Sequence, residues 1–286
     1  MAFVRACPRV TLARRSVLRR RPLARLCVFV TLVALAACSG APKKPPSGAL
    51  EPDKFLFENG TSALNDKRWF ASREYFRQLV DSYPQSPYRA DAKLGIADTF
   101  LGERTAESNV LALNEFREFL SFYPTHERAD YAQYKLAMTH FYQMRGPERD
   151  QTETHEAIVE LTTFLERYPN SKLVPEVRTR LREARDRFSM HEYRVGVFYY
   201  RTQKWYPGAL DRFQSLMKSD PEFTYRDGVY FYMAQIYLKA ERPAEALPYL
   251  DRLVKEFEKS EFLEEAARQI EAIKNGTIKE VKKDKS

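Results

Sequence analysis

Enzyme chemistry needs a nucleophile, an acid–base pair or a set of metal ligands, and this chain offers few candidates for any of them. Its three cysteines are Cys7, Cys27 and Cys38. Beyond residue 38 there is no thiol, which rules out disulfides, a cysteine nucleophile and thiolate metal sites in the body of the chain. The four histidines, His126, His140, His155 and His191, stand singly, without the paired spacing a metal requires. His191 falls on an apolar stripe and reads as a hydrogen-bonded structural residue. There is no P-loop, glycine-rich phosphate turn, nucleophile elbow or HExxH. Carboxylates are plentiful, but all fit solvated helix faces. The expectations are no catalytic residues, no metal and no cofactor. One side chain remains that is placed for chemistry, the thiol of Cys38.

The segment ahead of Cys38 explains its position. Eight arginines and no acid precede a short apolar run from Leu26, which ends in Leu35-Ala36-Ala37-Cys38. A basic region, an apolar stretch too short to span a bilayer and small residues before a cut site make an export signal over residues 1–37. Its ending resembles the bacterial lipobox. That resemblance implies diacylglycerol on the Cys38 thiol, cleavage before Cys38 and acylation of the new amine. Several acyl chains anchor firmly, since each buried CH₂ contributes roughly 0.8 kcal/mol. Ser39, where an aspartate would signal inner-membrane retention, points the lipoprotein to the outer membrane. An ordinary signal peptide cut after Ala37, with Cys38 incidental, is the alternative.

The formal charge of +8 suggests nucleic acid only until it is located. The signal holds eight of the 47 basic residues and none of the 39 acidic ones, so the remainder is neutral and no basic footprint survives. Residues 40–53, rich in Pro, Gly and Lys, make a flexible tether after Cys38, so that residues 38–53 form one unit.

From Lys54 onward the chain repeats itself. Tyr83-Pro84-Gln85-Ser86, Tyr123-Pro124-Thr125-His126 and Tyr168-Pro169-Asn170-Ser171 each close one helix and start another. Ahead of them lie Ala71, Tyr75, Leu79; Ala112, Phe116, Leu120; and Ala157, Leu161, Leu165. Weaker copies follow as Ala209, Phe213, Leu216 and Ala246, Leu250, Val254, at alanine spacings of 41, 45, 52 and 37. A small residue lets two helices approach, and residues four and eight later continue the buried stripe. Ser86 and Ser171 suit an N-cap. Partner helices carry Ala90, Leu94, Ala97, Leu101; Tyr131, Tyr134, Met138, Phe141; and Val229, Met233, Ile236, Ala240. The fold class is all-α: a solenoid of about five helix pairs, similar to tetratricopeptide repeats. The 52-residue interval predicts one long helix of about 30 residues in the fourth repeat, near 45 Å at 1.5 Å per residue. It carries Leu181, Ala184, Phe188, His191, Val195 and Tyr199. Repeats one to three occupy residues 54–170. The fourth and fifth, with a capping helix near 262–273, occupy residues 171–273. Residues 145–152 form a surface loop, and residues 274–286 a disordered lysine-rich tail.

These features together resemble BamD, the tetratricopeptide lipoprotein family of the outer-membrane β-barrel assembly machinery. The resemblance spans residues 54–273. It rests on the lipobox, the Tyr-Pro-x-Ser repeats, Asp130-Tyr131-Ala132-Gln133-Tyr134 after Pro124-Thr125-His126, Arg149-Asp150-Gln151, and the stretch from His191 through Val195-Gly196-Val197-Phe198-Tyr199-Tyr200 to Trp205. It implies a non-enzymatic scaffold, lipid-anchored on the periplasmic face of the outer membrane, that helps deliver and insert β-barrel proteins. The implied partners are the periplasmic domains of the barrel-forming assembly protein, other assembly lipoproteins and unfolded outer-membrane proteins. The partner surface would lie on the end of the long helix and the helices after it, where Arg201, Arg212 and Arg226 are candidates. The client groove would fall on repeats one to three, with Tyr131 and Tyr134 as candidates. Arg201-Thr202-Gln203-Lys204 departs from the family's tighter turn before the tryptophan. A competing expectation is a tetratricopeptide envelope protein linked to Tol–Pal and cell-wall constriction. That family carries an N-terminal coiled coil, and residues 40–53 show no heptads.

Overall fold

The structure, a computed structural model, describes residues 45–46 and 50–278. Cys38, the signal and most of the tether lie outside the described residues, as do residues 279–286 of the tail. The described helices all belong to one unit, Gly48–Ser286. They are eleven in number, with no strand among the described residues. They run α1 (Pro52–Asn65), α2 (Trp69–Ser82), α3 (Arg89–Glu103), α4 (Ala106–Phe122), α5 (Ala129–Phe141) and α6 (Thr152–Arg167). After these come α7 (Val174–Phe198), a π-helical turn (Tyr199–Gln203), α8 (Tyr206–Ser219), α9 (Arg226–Lys239), α10 (Pro243–Glu256) and α11 (Leu263–Lys274). Helices α1 to α10 form five antiparallel pairs of the tetratricopeptide kind, each packed on the next, and α11 covers the last. Helix α1 starts at Pro52, two residues inside the expected tether.

Each pair meets through a small residue opposite a large one. On the second helices the buried stripes are Ser72–Phe76–Leu79, Ala112–Phe116–Phe119, Ala157–Leu161–Phe164, Ala209–Phe213–Leu216 and Ala246–Leu250–Leu253. The inward positions therefore fall at steps of four and three, and Leu165 and Val254 are only partly buried. In the first repeat the register differs from the sequence expectation by one residue. Ser72, not Ala71, faces inward, because its hydroxyl donates to the carbonyl of Gly60 at 2.8 Å and needs no water. Phe76 then fills the space left by two absent side chains. A Cβ on Gly60 or Gly95 would lie 2.6 or 2.4 Å from its ring.

The turns within repeats share one device. Lys67, Arg104, Lys204 and Glu241 have φ between 52° and 59°, each between the two helices of its pair. The third repeat uses its longer connection instead. That loop is fastened to the long helix: Pro147 O meets His191 Nδ1 at 2.7 Å, and Glu148 pairs with Arg194. The hydrogen bond expected for His191 is thus present.

The turns between repeats clasp their neighbours. Ser86 donates to Asp53 at 2.7 Å, Ser171 to Asp130 at 2.5 Å, Thr224 to Asp186 at 2.6 Å and Ser260 to Asp227 at 2.7 Å. In every case the acid sits on the first helix of the preceding repeat. Ser86 and Ser171 also accept from the N–H groups of Tyr88 and Leu173, one turn ahead of the assigned helix starts. Neither serine is the N-cap expected of it: the caps are Tyr88 and Leu173, without a side-chain bond, and each serine instead closes the preceding turn with its oxygen while its proton ties two repeats together. At the second junction His126 Nδ1 accepts the equivalent N–H, from Arg128, and the Arg128 side chain pairs with Asp91 at 2.9 Å.

Helix α7 spans 25 residues, about 37 Å at 1.5 Å per residue, and runs directly into the π turn. The single stripe expected along it is two stripes. Val177, Leu181 and Ala184 join the core of the third repeat. Past that point the buried residues become Ser189 and Gly196, and Met190, Tyr193 and Val197 pack on the core of α8 and α9. Phe188, His191 and Val195 are only partly buried. A straight helix that changes partners must change faces.

Candidate functional site

Two surfaces collect the residues singled out from the sequence. The first is a cavity of about 470 Å³ between the opening helices of repeats one, two and three. Asp98, Leu101 and Gly102 on α3 and Tyr131 and Lys135 on α5 face it. Lys67, Trp69, Arg104 and Tyr142, from the turns and helix ends, complete the rim. Trp69 lies against Gly102, where a Cβ would stand 2.8 Å from the ring. The left-handed conformation of Lys67 and Arg104 is what sends the chain back at the rim.

Charge is distributed unevenly in this cavity. Lys67, Arg104 and Lys135 form no ion pair among the described residues, whereas Asp98 is the one lining acid. Arg104 stands over the Tyr142 ring at 5.2 Å, and Lys135 over the Tyr131 ring at 5.2 Å. The Tyr131 hydroxyl donates to Asp98 Oδ2 at 2.8 Å, and Arg128 covers the ring's face at 4.6 Å. Burial raises the Asp98 carboxyl above its ordinary pKa, against the opposing effects of Lys135, Tyr131 and Arg128. Burial, then Asp98, raises the Tyr131 phenol as well. Such a cavity suits an anionic ligand with a flat apolar part.

Tyr131 lines the cavity, but Tyr134 does not. Three residues on along α5, Tyr134 is buried toward α7, where its hydroxyl donates to Glu176 at 2.7 Å. It holds the third repeat to the fourth.

The second surface surrounds the π turn. Arg201 is exposed and its guanidinium lies over the Tyr232 ring at 5.4 Å. Arg212 on α8 pairs with Glu192 on α7 at 2.9 Å. Arg226, at the start of α9, donates to the carbonyl of Phe223 at 2.8 Å and covers the Phe257 ring at 5.3 Å. Arg201 and Arg212 border the aromatic cluster of Tyr199, Tyr200 and Tyr232, whereas Arg226 is built into the next junction. Beside Arg201 stand Phe198 and Trp205, 47% and 55% exposed. Trp205 packs on Tyr199 at 5.2 Å and on Gly208, where a Cβ would meet the indole at 2.4 Å. Arg201, Thr202 and Gln203 are the last three residues of the π turn, and Lys204 after it is left-handed.

Among the described residues no helix is long and apolar enough to cross a membrane, and no group of His, Cys, Asp or Glu is placed to hold a metal. A family model described as YfiO, outer membrane lipoprotein, matches residues 50–246. The chain belongs to this family. The match begins just before α1 and ends within α10, so it takes in both surfaces. Among YfiO relatives, the "Outer membrane protein assembly factor BamD" of Caulobacter vibrioides is 26% identical over 221 residues, 76% of this chain and 70% of the relative. The protein of the same name from Vibrio cholerae is 25% identical over 204 residues, covering 68% and 82%. That of Neisseria meningitidis serogroup B is 22% identical over 249 residues, covering 82% and 92%. The resemblance read from the repeats and the stretch around Trp205 is therefore correct at the level of the family.

Sequence reasoning missed Asp98, Lys67, Arg104 and Lys135. None belongs to a motif, and the cavity brings together positions up to 78 residues apart, from Leu64 to Tyr142, a separation set by the stacking of three repeats.

Proposed function

We propose that this chain is an outer-membrane protein assembly factor of the BamD kind. In this reading it is a non-enzymatic scaffold, held by acyl chains on Cys38 at the periplasmic face of the outer membrane. It binds the barrel-forming assembly protein and other assembly lipoproteins, and it receives unfolded barrel proteins for insertion. The observation that carries the reading is membership of the outer-membrane lipoprotein family across residues 50–246, which include both candidate surfaces.

The parts divide as follows. Arg201, with the exposed Phe198 and Trp205, supplies the aromatic and arginine composition of a protein–protein contact, and Arg212 borders it. Arg226 belongs instead to the junction between the fourth and fifth repeats. The cavity beside Tyr131 is the client groove, and its lining of three cations, one acid and several rings supports an anionic, partly aromatic client segment. Depletion of the protein tests the reading. Barrel proteins of the outer membrane should fall together while lipoproteins with no barrel stay constant. Unchanged porin levels after verified depletion would refute it. Replacing Cys38 by Ser should abolish palmitate incorporation and leave the chain in the soluble periplasmic fraction.

A further inference from the structure

The tripeptide Asn-Gly-Thr occurs twice in the chain, as Asn59-Gly60-Thr61 and as Asn275-Gly276-Thr277. An asparagine before glycine is open to attack on its side-chain amide by the next backbone nitrogen, because glycine has no Cβ to block the approach or restrict the backbone. The intrinsic reactivity is the same at both places, so the fold decides which of them reacts.

Asn59 is held fast. It lies inside α1, its Nδ2 donates to the Phe55 carbonyl at 2.8 Å, and the Thr61 hydroxyl donates to the Phe57 carbonyl at 2.8 Å. Gly60 is buried, with the Phe76 ring in the space where a Cβ would stand. Its nitrogen can turn toward Asn59 only if α1 leaves the core, a costly opening. Asn275 is exposed at the end of α11. Gly276 after it is left-handed, with φ of 75° and nothing within 4 Å of a Cβ position. Here Thr277 donates to Asn275 Oδ1 twice, from its N–H at 3.1 Å and from its hydroxyl at 2.6 Å. Two donors on that oxygen polarise the side-chain carbonyl and stabilise the negative charge that forms there when Cγ is attacked. Asn275 has ψ of 2°, so the peptide after it must rotate before the Gly276 nitrogen can reach Cγ. That rotation breaks the bonds from Gly276 N–H to the Ile273 carbonyl and from Ile278 N–H to the Ala272 carbonyl. It opens only the last turn of a helix in which Ala266 alone is fully buried.

We propose that Asn275 is a site of spontaneous deamidation, with Thr277 activating its side-chain carbonyl, and that the fold protects Asn59. The Gly276 nitrogen gives up its proton and bonds to Cγ of Asn275, the side-chain nitrogen leaves as ammonia, and a cyclic imide closes. Water then opens one of the two imide carbonyls. One opening gives aspartate, and the other gives isoaspartate, with the backbone running through the side chain. Either product puts a carboxylate at the C-terminal end of α11, where the helix dipole disfavours it. Isoaspartate also lengthens the backbone at the turn beside Ile273 and Ile270, which pack on the last core. The modification therefore loosens the helix that covers the end of the stack.

The test incubates the full chain in detergent at neutral pH, folded and in concentrated urea, and follows both asparagines by peptide mass spectrometry for conversion of amide to acid. In the folded protein Asn275 should convert about tenfold faster than Asn59 or more, since opening one terminal turn takes far less free energy than opening a packed helix. In urea the two should agree to within about twofold, because the tripeptide is the same and neither fold remains. Thr277→Val keeps the N–H and the shape of the side chain but loses the hydroxyl. It should slow Asn275 about threefold in the folded protein and leave the rate in urea unchanged. Equal rates at Asn59 and Asn275 in the folded chain overturn the proposal. So does an Asn275 rate that rises more than about tenfold in urea, which would mean that the turn protects it as well. A valine variant that reacts as fast as wild type when folded overturns the role of Thr277.

Discussion

Two buried acids of this chain differ in how their oxygens are used. Asp98 leaves one unpaired, whereas Asp220 at the end of α8 uses both. Arg182 reaches Asp220 with two bonds of 2.8 and 2.5 Å, and Ser189 adds a third at 2.6 Å. Burial alone would raise the Asp220 carboxyl, but Arg182 and Ser189 outweigh it and hold the carboxyl below its ordinary pKa. A depressed folded pKa means that the stabilisation is complete above the unfolded value, near 3.9, and is lost as pH falls through the folded value. Asp220→Asn should therefore cost about 2–3 kcal/mol at pH 7 in urea unfolding, because it leaves Arg182 partly unpaired in a half-buried place. The gap to wild type should narrow below about pH 4, and a constant gap across pH would show that the carboxylate charge is not involved. Neither Asp98 nor Asp220 was legible in the sequence, where they are two among 39 acids. Their partners lie 33 and 38 residues away, at distances that only the packed repeats define. The cysteine count, by contrast, needed no structure to exclude thiol chemistry from the body of the chain.

Helices were the most legible elements, and their register the least secure. Five small–large stripes and the proline turns between them were visible because each repeat must bury the same face against the next. Which of two adjacent small residues faced inward in the first repeat was not visible, since the answer depends on Gly60 across the interface. The turns within repeats were also hidden: Lys67, Arg104, Lys204 and Glu241 adopt the left-handed region without the glycine that usually signals it. Glycine instead appears where helices touch. Gly196 on α7 faces Phe213 on α8, and a Cβ there would lie 2.5 Å from Cε1 of a ring that is fully buried. Gly196→Ala should destabilise by about 1–2 kcal/mol. Overpacking of that kind costs roughly 1–3 kcal/mol, and the better helix propensity of alanine returns at most about 1 kcal/mol of it. Adding Phe213→Leu should make the double variant less unstable than the two single losses predict. Additive losses in that cycle would mean that the ring and the glycine do not meet.

At the scale of the whole repeat unit, α5, α7 and α9 each contribute to two cores, and α7 does so with successive halves of its length. Its first half completes the core built by α5 and α6, and its second half opens the core shared with α8 and α9. The face changes between Ala184 and Ser189, so the coupling between the two groups of repeats passes through about one turn of helix. In a linear array, stability is a sum of repeats and their nearest-neighbour contacts, and cooperativity lasts only while each contact is strong enough to carry it. Arg187→Pro tests this at the crossing point. A proline there removes one backbone hydrogen bond, clashes with the preceding turn and costs about 3 kcal/mol or more locally. The two tryptophans report separately, since Trp69 lies at the start of α2 and Trp205 between the π turn and α8. With Trp205→Phe the fluorescence follows the first repeats, and with Trp69→Phe it follows the last. In the otherwise wild-type background the two urea midpoints should coincide. With Arg187→Pro they should separate, with each group of repeats unfolding by itself. Coincident midpoints in the proline variant would mean that the loop bound to His191 and Arg194, with the Asp186 and Asp220 clasps, carries the coupling without a continuous helix. The separation matters for the proposed scaffold because the proposed client groove lies on one side of the crossing and the proposed partner surface on the other.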